Sequence, residues 1–292
     1  MITSVGVELE SPLPKQKFAM SVDVEDYFQV WAFSNIISRK SWDGFELRVG
    51  EMTRRCLDLF DSQNTKATFF TLGWVAERDA ALIREIVSRG HELASHGYDH
   101  TKVNQQTREE FHKDAARTKS LLEDISGAQV TGYRAAGFSI DQTTPWAYEV
   151  LAQIGYKYSS SMHPIAHDHY GDAAGEQSPY QPLKQAHFVE APVATVDFLG
   201  RRLSCAGGGW FRASPFPVSD FLVKRAADTL DGPVIFYFHP WEIDPGQPRF
   251  DKASAKSKLR HYMNLDRMEG KLRKLLGRYE WGRVDNALAS YQ

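Results

Sequence analysis

Three carboxylates follow a single apolar segment, and their spacing is the first sign of chemistry in the chain. The segment FAMSVDVEDYF (18–28) contains Asp23, Glu25 and Asp26. Carboxylates this close together repel one another unless a metal ion, an arginine or a shared proton offsets the repulsion. Because side chains two residues apart in a strand point to the same side, Asp23 and Glu25 are predicted to share a face. Asp26 is predicted to point elsewhere, unless the strand ends before it.

Two histidines four residues apart favour the metal ion. The stretch SHGYDH (95–100) contains His96 and His100 at the end of a predicted strand, and on a helical turn this spacing places both imidazoles on one face. Exposed loop histidines are the commoner explanation of this spacing alone. A catalytic zinc ion takes three protein ligands and leaves one position open. Two histidines and one carboxylate provide that set, so the sequence predicts one divalent ion, zinc before cobalt or nickel.

An arginine and a further histidine also end predicted strands. Arg134 lies in GYRAAG (132–137), and His239 follows the apolar run VIFYF (234–238). A guanidinium can orient a catalytic carboxylate and keep it ionised. A histidine with a carboxylate partner can act as a general acid. Taken singly, a surface arginine is the commoner explanation of Arg134, and a capped core histidine explains His239 equally well. Together, four strand ends provide the groups that metal-assisted hydrolysis requires.

The elements that position these residues alternate between strand and helix. Apolar or β-branched segments predict strands at 19–24, 66–72, 91–97, 132–137, 156–161, 187–193 and 233–240. Helical spacing predicts helices at 50–63, 74–88, 107–126, 145–154 and 265–276, the third with a Thr107/Glu110 capping box. This order predicts a parallel α/β barrel, whose active site lies at the C-terminal strand ends. Residues 162–186, 200–217 and 241–262 are predicted to be long loops over that end.

Composition excludes several classes of protein. The chain has 292 residues and a net charge of −2, which gives no electrostatic basis for binding nucleic acid or an anionic membrane. Cys56 and Cys205 are too few for a disulfide framework or a thiolate zinc site, and both are predicted to be buried. The opening residues lack the apolar core of a signal peptide, and no run is long enough to span a membrane. A cytoplasmic protein is therefore expected, and the long loops are compatible with a homo-oligomer.

From residue 18 to about 245, the order and spacing of these motifs resemble the polysaccharide deacetylases, which are carbohydrate esterases. The resemblance implies a distorted (β/α)7 barrel forming a single domain over residues 1–292. It implies that Asp23 is the catalytic base, oriented by Arg134, and that His239 is the acid. It also implies that His96, His100 and Glu25 bind the metal, with Asp26 as the rival to Glu25. The expected activity is hydrolytic removal of N-acetyl groups from amino sugars.

The chain departs from that family pattern at three points. The family has adjacent aspartates in its first motif, whereas this chain has Asp-Val-Glu-Asp. The proline that often follows the motif arginine is missing after Arg134. At residues 158–161 the sequence YSSS replaces an Asp–Ser pair that is common in the family.

Four sequence segments resemble one branch of the family, which is found with exopolysaccharide gene clusters of exosortase-bearing bacteria. They are SVDVEDYF, the 162–172 loop, GGGWFR and FHPWEID. That branch carries an additional C-terminal region, here about 200–285, and implies an exopolysaccharide or a lipid-linked glycan precursor as substrate. Aromatic faces stack on sugar rings, and Arg212 is a candidate contact for a phosphate or uronate. The predicted sugar-binding wall comprises Trp210, Phe211, Trp241 and Tyr170.

Two other functions fit the same features. The first is an amidohydrolase of the same fold acting on a small ureide or cyclic imide, sometimes without a metal. The retention of both histidines and of an acid at Glu25 favours the metal-dependent enzyme. The second is a catalytically inactive glycan-binding scaffold, which requires the loss of at least one catalytic group. None of the expected groups is missing from the sequence.

Overall fold

The structure is a computed structural model, and it describes residues 17–166 and 171–291. Tyr170, expected in the sugar-binding wall, lies outside the described residues. The strands are β1 (Phe18–Val24), β2 (Thr68–Thr71), β3 (Glu92–Ser95), β4 (Gly132–Tyr133), β5 (Tyr158–Ser159), β6 (Val189–Glu190), β7 (Thr195–Phe198), β8 (Arg201–Ser204), β9 (Val234–Phe238) and β10 (Trp281–Gly282). The α-helices are α1 (Val49–Ser62), α2 (Gly73–Arg78), α3 (Ala80–Ser88), α4 (Arg108–Ser126), α5 (Trp146–Ile154), α6 (Gly208–Ala213), α7 (Phe216–Thr229), α8 (Ala255–Tyr262), α9 (Leu265–Leu276) and α10 (Val284–Ala287).

The main sheet is parallel, and β1 pairs with three of its other strands. Its order is β10-β1-β2-β3-β4-β5-β6, and β9 also pairs with β1. The space between β6 and β9 is bridged by single hydrogen bonds, Ala194 N to Ile235 O (3.1 Å) and Tyr237 N to Ala206 O (2.9 Å). These bonds curl the sheet towards closure, while β7 and β8 form a separate antiparallel hairpin. The predicted α/β class and distorted barrel are confirmed.

Burial explains why these segments become strands and helices. Residues 19–24 of β1 are buried without interruption, which is typical of a parallel strand covered on both faces. The helices pack their apolar stripes against the sheet; Met52, Leu59 and Phe60 of α1 all lie in the largest core cluster. Cys56 and Cys205 are buried and free, as expected. Among the described residues, no helix combines the length and apolar character needed to cross a membrane.

Most predicted boundaries agree with the structure within a few residues, and the capping box of Thr107 and Glu110 at the start of α4 is confirmed. The helix predicted at 74–88 is wrong as a single element, because Asp79 divides it into α2 and α3. The Asp79 side chain accepts a hydrogen bond from Leu82 N at 2.9 Å and so caps the second helix. Two predicted loops also contain regular structure: 200–217 includes β8 and α6, and 241–262 includes α8.

The barrel end opposite the strand carboxyl ends is closed by a buried carboxyl group. Tyr158 Oη donates to Glu92 at 2.7 Å, and Asp285 N donates to the same carboxyl at 3.2 Å. Burial, and secondarily the charge of Asp285, raise the pKa of Glu92 to about 8. Gly132 of β4 makes room for this arrangement, since a Cβ there would overlap the Tyr158 ring.

Replacing Gly132 with alanine is therefore expected to destabilise the fold by about 1–3 kcal/mol, the usual effect of overpacking a well-filled core. The matched control is Gly270→Ala in α9, where a Cβ would meet nothing within 4 Å. The control is expected to stabilise the helix by about 0.5–1 kcal/mol. Urea unfolding of both variants measures the difference. Equal unfolding midpoints for G132A and wild type would contradict the packing argument.

Candidate active site

The end of β1 separates the three carboxylates. The strand ends at Val24, and Glu25 N donates to Asp23 O at 3.0 Å, so the chain turns there. Asp26 points to the start of α1, where its Oδ2 accepts hydrogen bonds from Arg48 N (2.8 Å) and Val49 N (2.9 Å). Burial raises the pKa of Asp26 to about 6 despite these bonds. The structure thus places Asp26 at a helix start, away from the histidines.

Glu25, His96 and His100 form a cluster suited to a metal ion. Each offers one ligand atom, and these atoms all lie within 4.8 Å of one another. Glu25 Oε2 is 3.0 Å from His100 Nε2. Within the described part of the chain, this buried oxygen has no hydrogen-bond partner. A buried carboxylate oxygen without a partner is costly unless a cation satisfies it, so the donor set fits a divalent ion.

The two histidines have the protonation and orientation that ligation requires. His96 Nδ1 lies 2.8 Å from the carbonyl oxygen of Arg134, so Nδ1–H donates to it and Nε2 keeps its lone pair for the cluster. Burial lowers the pKa of His96, and it lowers the pKa of His100 to about 4. Both rings are therefore neutral at neutral pH, which is the ligating form. His100 also has a φ of 60°, a left-handed conformation that is uncommon outside glycine.

Arg134 holds Asp23 beside this cluster. Arg134 Nη1 donates to Asp23 Oδ1 at 2.6 Å and to Ser21 Oγ at 2.9 Å. Its other donors reach Ser160, the carbonyl oxygen from Nε (3.0 Å) and the hydroxyl from Nη2 (2.9 Å). Burial raises the pKa of Asp23, but Arg134, and then His96 and His239, lower it, and the net shift is downward. Asp23 is therefore an ionised carboxylate of fixed orientation.

His239 approaches the same carboxylates from β9. Its Nε2 lies 3.4 Å from Glu25 Oε1 and 4.0 Å from Asp23 Oδ2. Its Nδ1 lies 2.8 Å from Glu242 Oε1. Burial lowers the pKa of His239, but the neighbouring Glu25 and Glu242 raise it more, and the result is about 9. The ring is therefore a proton donor directed at the cluster.

Glu242 is the residue that the sequence analysis missed. Its Oε1 binds His239, and its Oε2 accepts from Arg212 Nε at 2.6 Å. Burial raises its pKa, but Arg212 and His239 lower it to about 2. Gly208 lies against this carboxylate, where a Cβ would overlap it, which explains one glycine of the GGGWFR sequence. The spacing His-Pro-Trp-Glu, a capping box across a short 3-10 turn, is the sequence signal that could have identified Glu242.

Arg212 is not available to a substrate. It is 2% exposed, and its guanidinium also donates to the carbonyl oxygens of His261 (2.9 Å), Met263 (2.6 Å) and Arg260 (3.0 Å). The expected contact with a phosphate or uronate is therefore wrong, because the pairing with Glu242 and these carbonyls occupies the guanidinium.

Two aromatic residues of the expected sugar-binding wall are also buried. Phe211 packs in the core against Phe236, with ring centroids 5.2 Å apart. Trp241 stacks on His239 and on His261, and its Nε1 donates to Glu25 Oε1 at 3.2 Å. Trp241 thus orients the Glu25 carboxylate instead of offering a free face. Trp210, at 47% exposed, remains accessible.

Comparisons with known families divide the chain into two parts. Residues 42–159 match the family model for polysaccharide deacetylase. Residues 160–289 match a domain of unknown function (DUF3473). The first part contains His96, His100 and Arg134, and the second contains His239 and Glu242, while Asp23 and Glu25 precede both.

Curated relatives are similar over the first part of the chain. A peptidoglycan deacetylase of Helicobacter pylori is 31% identical over 108 residues, which cover 37% of this chain and 36% of the relative. A peptidoglycan-N-acetylglucosamine deacetylase of Bacillus cereus is 29% identical over 100 residues, covering 34% of this chain and 36% of the relative. The match thus spans about a third of the length of these relatives.

Among solved structures, the fold is similar to that of a Mycobacterium smegmatis protein assigned to the polysaccharide deacetylases. The TM-score is 0.57 at 19% identity, over 96% of this chain and 90% of that one. At this identity the likeness establishes the fold alone. The family match and the curated relatives agree that residues 42–159 are similar to the polysaccharide deacetylases.

Proposed function

We propose that this protein is a metal-dependent hydrolase that removes N-acetyl groups from the amino sugars of a glycan. One observation carries the proposal: an ionised, arginine-bound Asp23 and a protonated His239 lie 4.0 Å apart beside one cluster of metal-type ligands. Amide hydrolysis needs a base for the attacking water and an acid for the departing amine. The curated relatives named above act on peptidoglycan, which supports an N-acetylated glycan as substrate.

Glu25, His96 and His100 would hold the metal ion. A divalent ion in such a site supplies Lewis acidity, which polarises a carbonyl and lowers the pKa of water. The hydrogen bonds from His96 Nδ1–H to Arg134 O and from Trp241 Nε1–H to Glu25 fix the ligand orientations before binding. Zinc is the expected ion, with cobalt or nickel as alternatives.

Asp23 is the proposed base. Arg134 binds Oδ1, which leaves Oδ2 to accept the proton of a water molecule as that water attacks the acetyl carbon. Arg134 also keeps Asp23 ionised in a buried setting, where a lone carboxylate would tend to become protonated. The full burial of Arg134 keeps its guanidinium from adopting other orientations.

His239 is the proposed acid. An amine leaves readily only when it is protonated, so Nε2–H must reach the nitrogen of the breaking C–N bond. Glu242 accepts from Nδ1–H and holds the ring with Nε2 towards the cluster. Arg212 fixes Glu242 in turn. The products are acetate and a free amino sugar.

We also propose that the two matched regions act as one catalytic domain, with the C-terminal region of about 200–285 contributing the acid. The substrate is expected to be an exopolysaccharide or a lipid-linked glycan precursor, from the resemblance of the GGGWFR and FHPWEID sequences to that branch. Trp210 is the remaining candidate for stacking on a sugar ring within the described residues.

Metal retention separates the roles of the neighbouring carboxylates. Wild type incubated with zinc and then dialysed is expected to keep about one ion per chain, the stoichiometry of a mononuclear catalytic site. Glu25→Gln and His96→Ala are expected to lose the ion, since each removes a ligand. Asp26→Asn is the matched control and should retain it, because Asp26 binds the start of α1. Elemental analysis measures the number of zinc ions per chain. If Asp26→Asn lost the ion and Glu25→Gln retained it, Asp26 would be the ligand instead of Glu25.

Asp23→Asn tests the base. The amide cannot accept the proton of water, so acetate release from an N-acetylated chitooligosaccharide is expected to fall by about 10²–10⁴-fold. Metal content should stay at the wild-type level, which distinguishes a lost base from a lost site. Asp61→Asn, an exposed carboxylate change, serves as the control. Acetate release within about tenfold of wild type would rule out Asp23 as the base.

Glu242→Gln tests the acid through the leaving group. A phenolate leaves an aryl acetate without protonation, whereas an amine needs a proton. Acetate release from the N-acetyl sugar is therefore expected to fall at least about tenfold more than release from 4-nitrophenyl acetate. Gly208→Ala should give the same ratio, since its Cβ displaces the same carboxylate. Equal losses on the two substrates would indicate a purely structural role.

A further inference from the structure

A short segment next to the active site carries an unusual excess of positive charge. Residues 249–260 contain five basic side chains and one acidic side chain, in a protein whose net charge is −2. We name residues 249–260 the basic segment; it includes most of α8. Its charged residues are Arg249, Asp251, Lys252, Lys256, Lys258 and Arg260.

The basic segment borders a groove of about 620 Å³. Charged and aromatic side chains both line it, and Leu259 is 65% exposed at its edge. The guanidinium of Arg249 lies over the Tyr262 ring at 4.9 Å. Aromatic faces suit the C–H surface of sugar rings, and ammonium or guanidinium groups suit carboxylates. The lining includes Arg249, Phe250, Asp251, Lys258, Leu259 and Tyr262.

The basic segment is attached to residues that position the active-site side chains. Arg212 donates to backbone carbonyl oxygens at Arg260, His261 and Met263, and the same guanidinium binds Glu242. The ring of His261 stacks on Trp241 with centroids 4.2 Å apart, and Trp241 binds Glu25. An exposed run of lysines is usually only solvated. Here two of the five basic side chains, Arg249 and Lys258, line a groove whose segment is attached to the active site through buried contacts.

We propose that this groove binds an acidic glycan strand, one whose sugar rings carry carboxylate groups, as in a uronate-containing polysaccharide. If the same glycan strand binds in the groove and is deacetylated at the metal site, the substrate is an acidic, N-acetylated glycan. The link to deacetylation rests on the proposed function, whereas binding of the strand does not. The site also replaces the anion contact that was expected of Arg212.

A concave surface favours a glycan strand over a membrane as the bound partner. A bilayer presents a flat interface and requires a protruding apolar face beside the bases, whereas aromatic and basic side chains share one groove here. Anionic vesicles are nevertheless the natural competing partner for a basic segment.

The experiment is a binding titration of the full chain with a galacturonate oligosaccharide, with neutral chitooligosaccharide and with vesicles containing phosphatidylglycerol. The test variant is Arg249→Glu combined with Lys258→Glu. The matched control is Lys184→Glu combined with Lys224→Glu, which makes the same change in net charge at exposed positions outside the basic segment. Circular dichroism establishes that each variant is folded.

Wild type and the control variant should bind the galacturonate, and the test variant should bind it roughly tenfold more weakly, since each reversed charge acts over a short range. Affinity should also fall as salt rises. Equal affinity of test and control variants, or binding of the vesicles alone, would overturn the proposal. Failure of wild type to release acetate from any substrate would reject the proposed function while leaving this binding result intact.

Discussion

The buried guanidinium of Arg134 is the interaction on which the rest of the site depends. Arg134 itself follows β4, its side chain binds Ser21 and Asp23 of β1 and Ser160 after β5, and its carbonyl oxygen receives His96 Nδ1 from the end of β3. Arg134 thus connects the ends of four strands, β1, β3, β4 and β5. A buried charge of this kind is tolerated only when its hydrogen bonds are made, and here Arg134 fixes the positions of Asp23 and His96 together. Ser21 and Ser160 fit this arrangement, because an arginine that binds one carboxylate needs neutral acceptors for its other donors.

The alternation of strands and helices could be read from the sequence because it is local. Each apolar segment and each helical face was visible within ten to twenty residues, and the rule that site residues collect at strand ends brought Asp23, His96, Arg134 and His239 to one edge. The capping box at Thr107 and the helix at Leu265–Leu276 were predictable for the same reason.

The features that could not be predicted are those in which distant residues meet. Arg212 was expected to contact a phosphate or uronate, yet it pairs with Glu242, 30 positions further along the chain. Trp241 looked like a sugar platform, yet its indole N–H is directed at Glu25, 216 positions away. The choice between Glu25 and Asp26 depended on where β1 ends and α1 begins. Two neighbouring acidic residues in a sequence do not indicate that position.

The pairing of β1 with β9 and β10 has a consequence for how this chain reaches its folded state. β1 is the first described strand, but Ser21 hydrogen-bonds Phe236 across 215 positions of sequence, and Val284 N donates to Thr68 of β2 across 216. Contacts of such long range form slowly, because most of the intervening chain must be ordered before they are made. During synthesis, one edge of β1 therefore stays unpaired until β9 and β10 have been made. An unpaired apolar strand of this kind is a site for association with other chains. A truncation after α7 would therefore remove more than His239, because it would leave one edge of β1 permanently exposed.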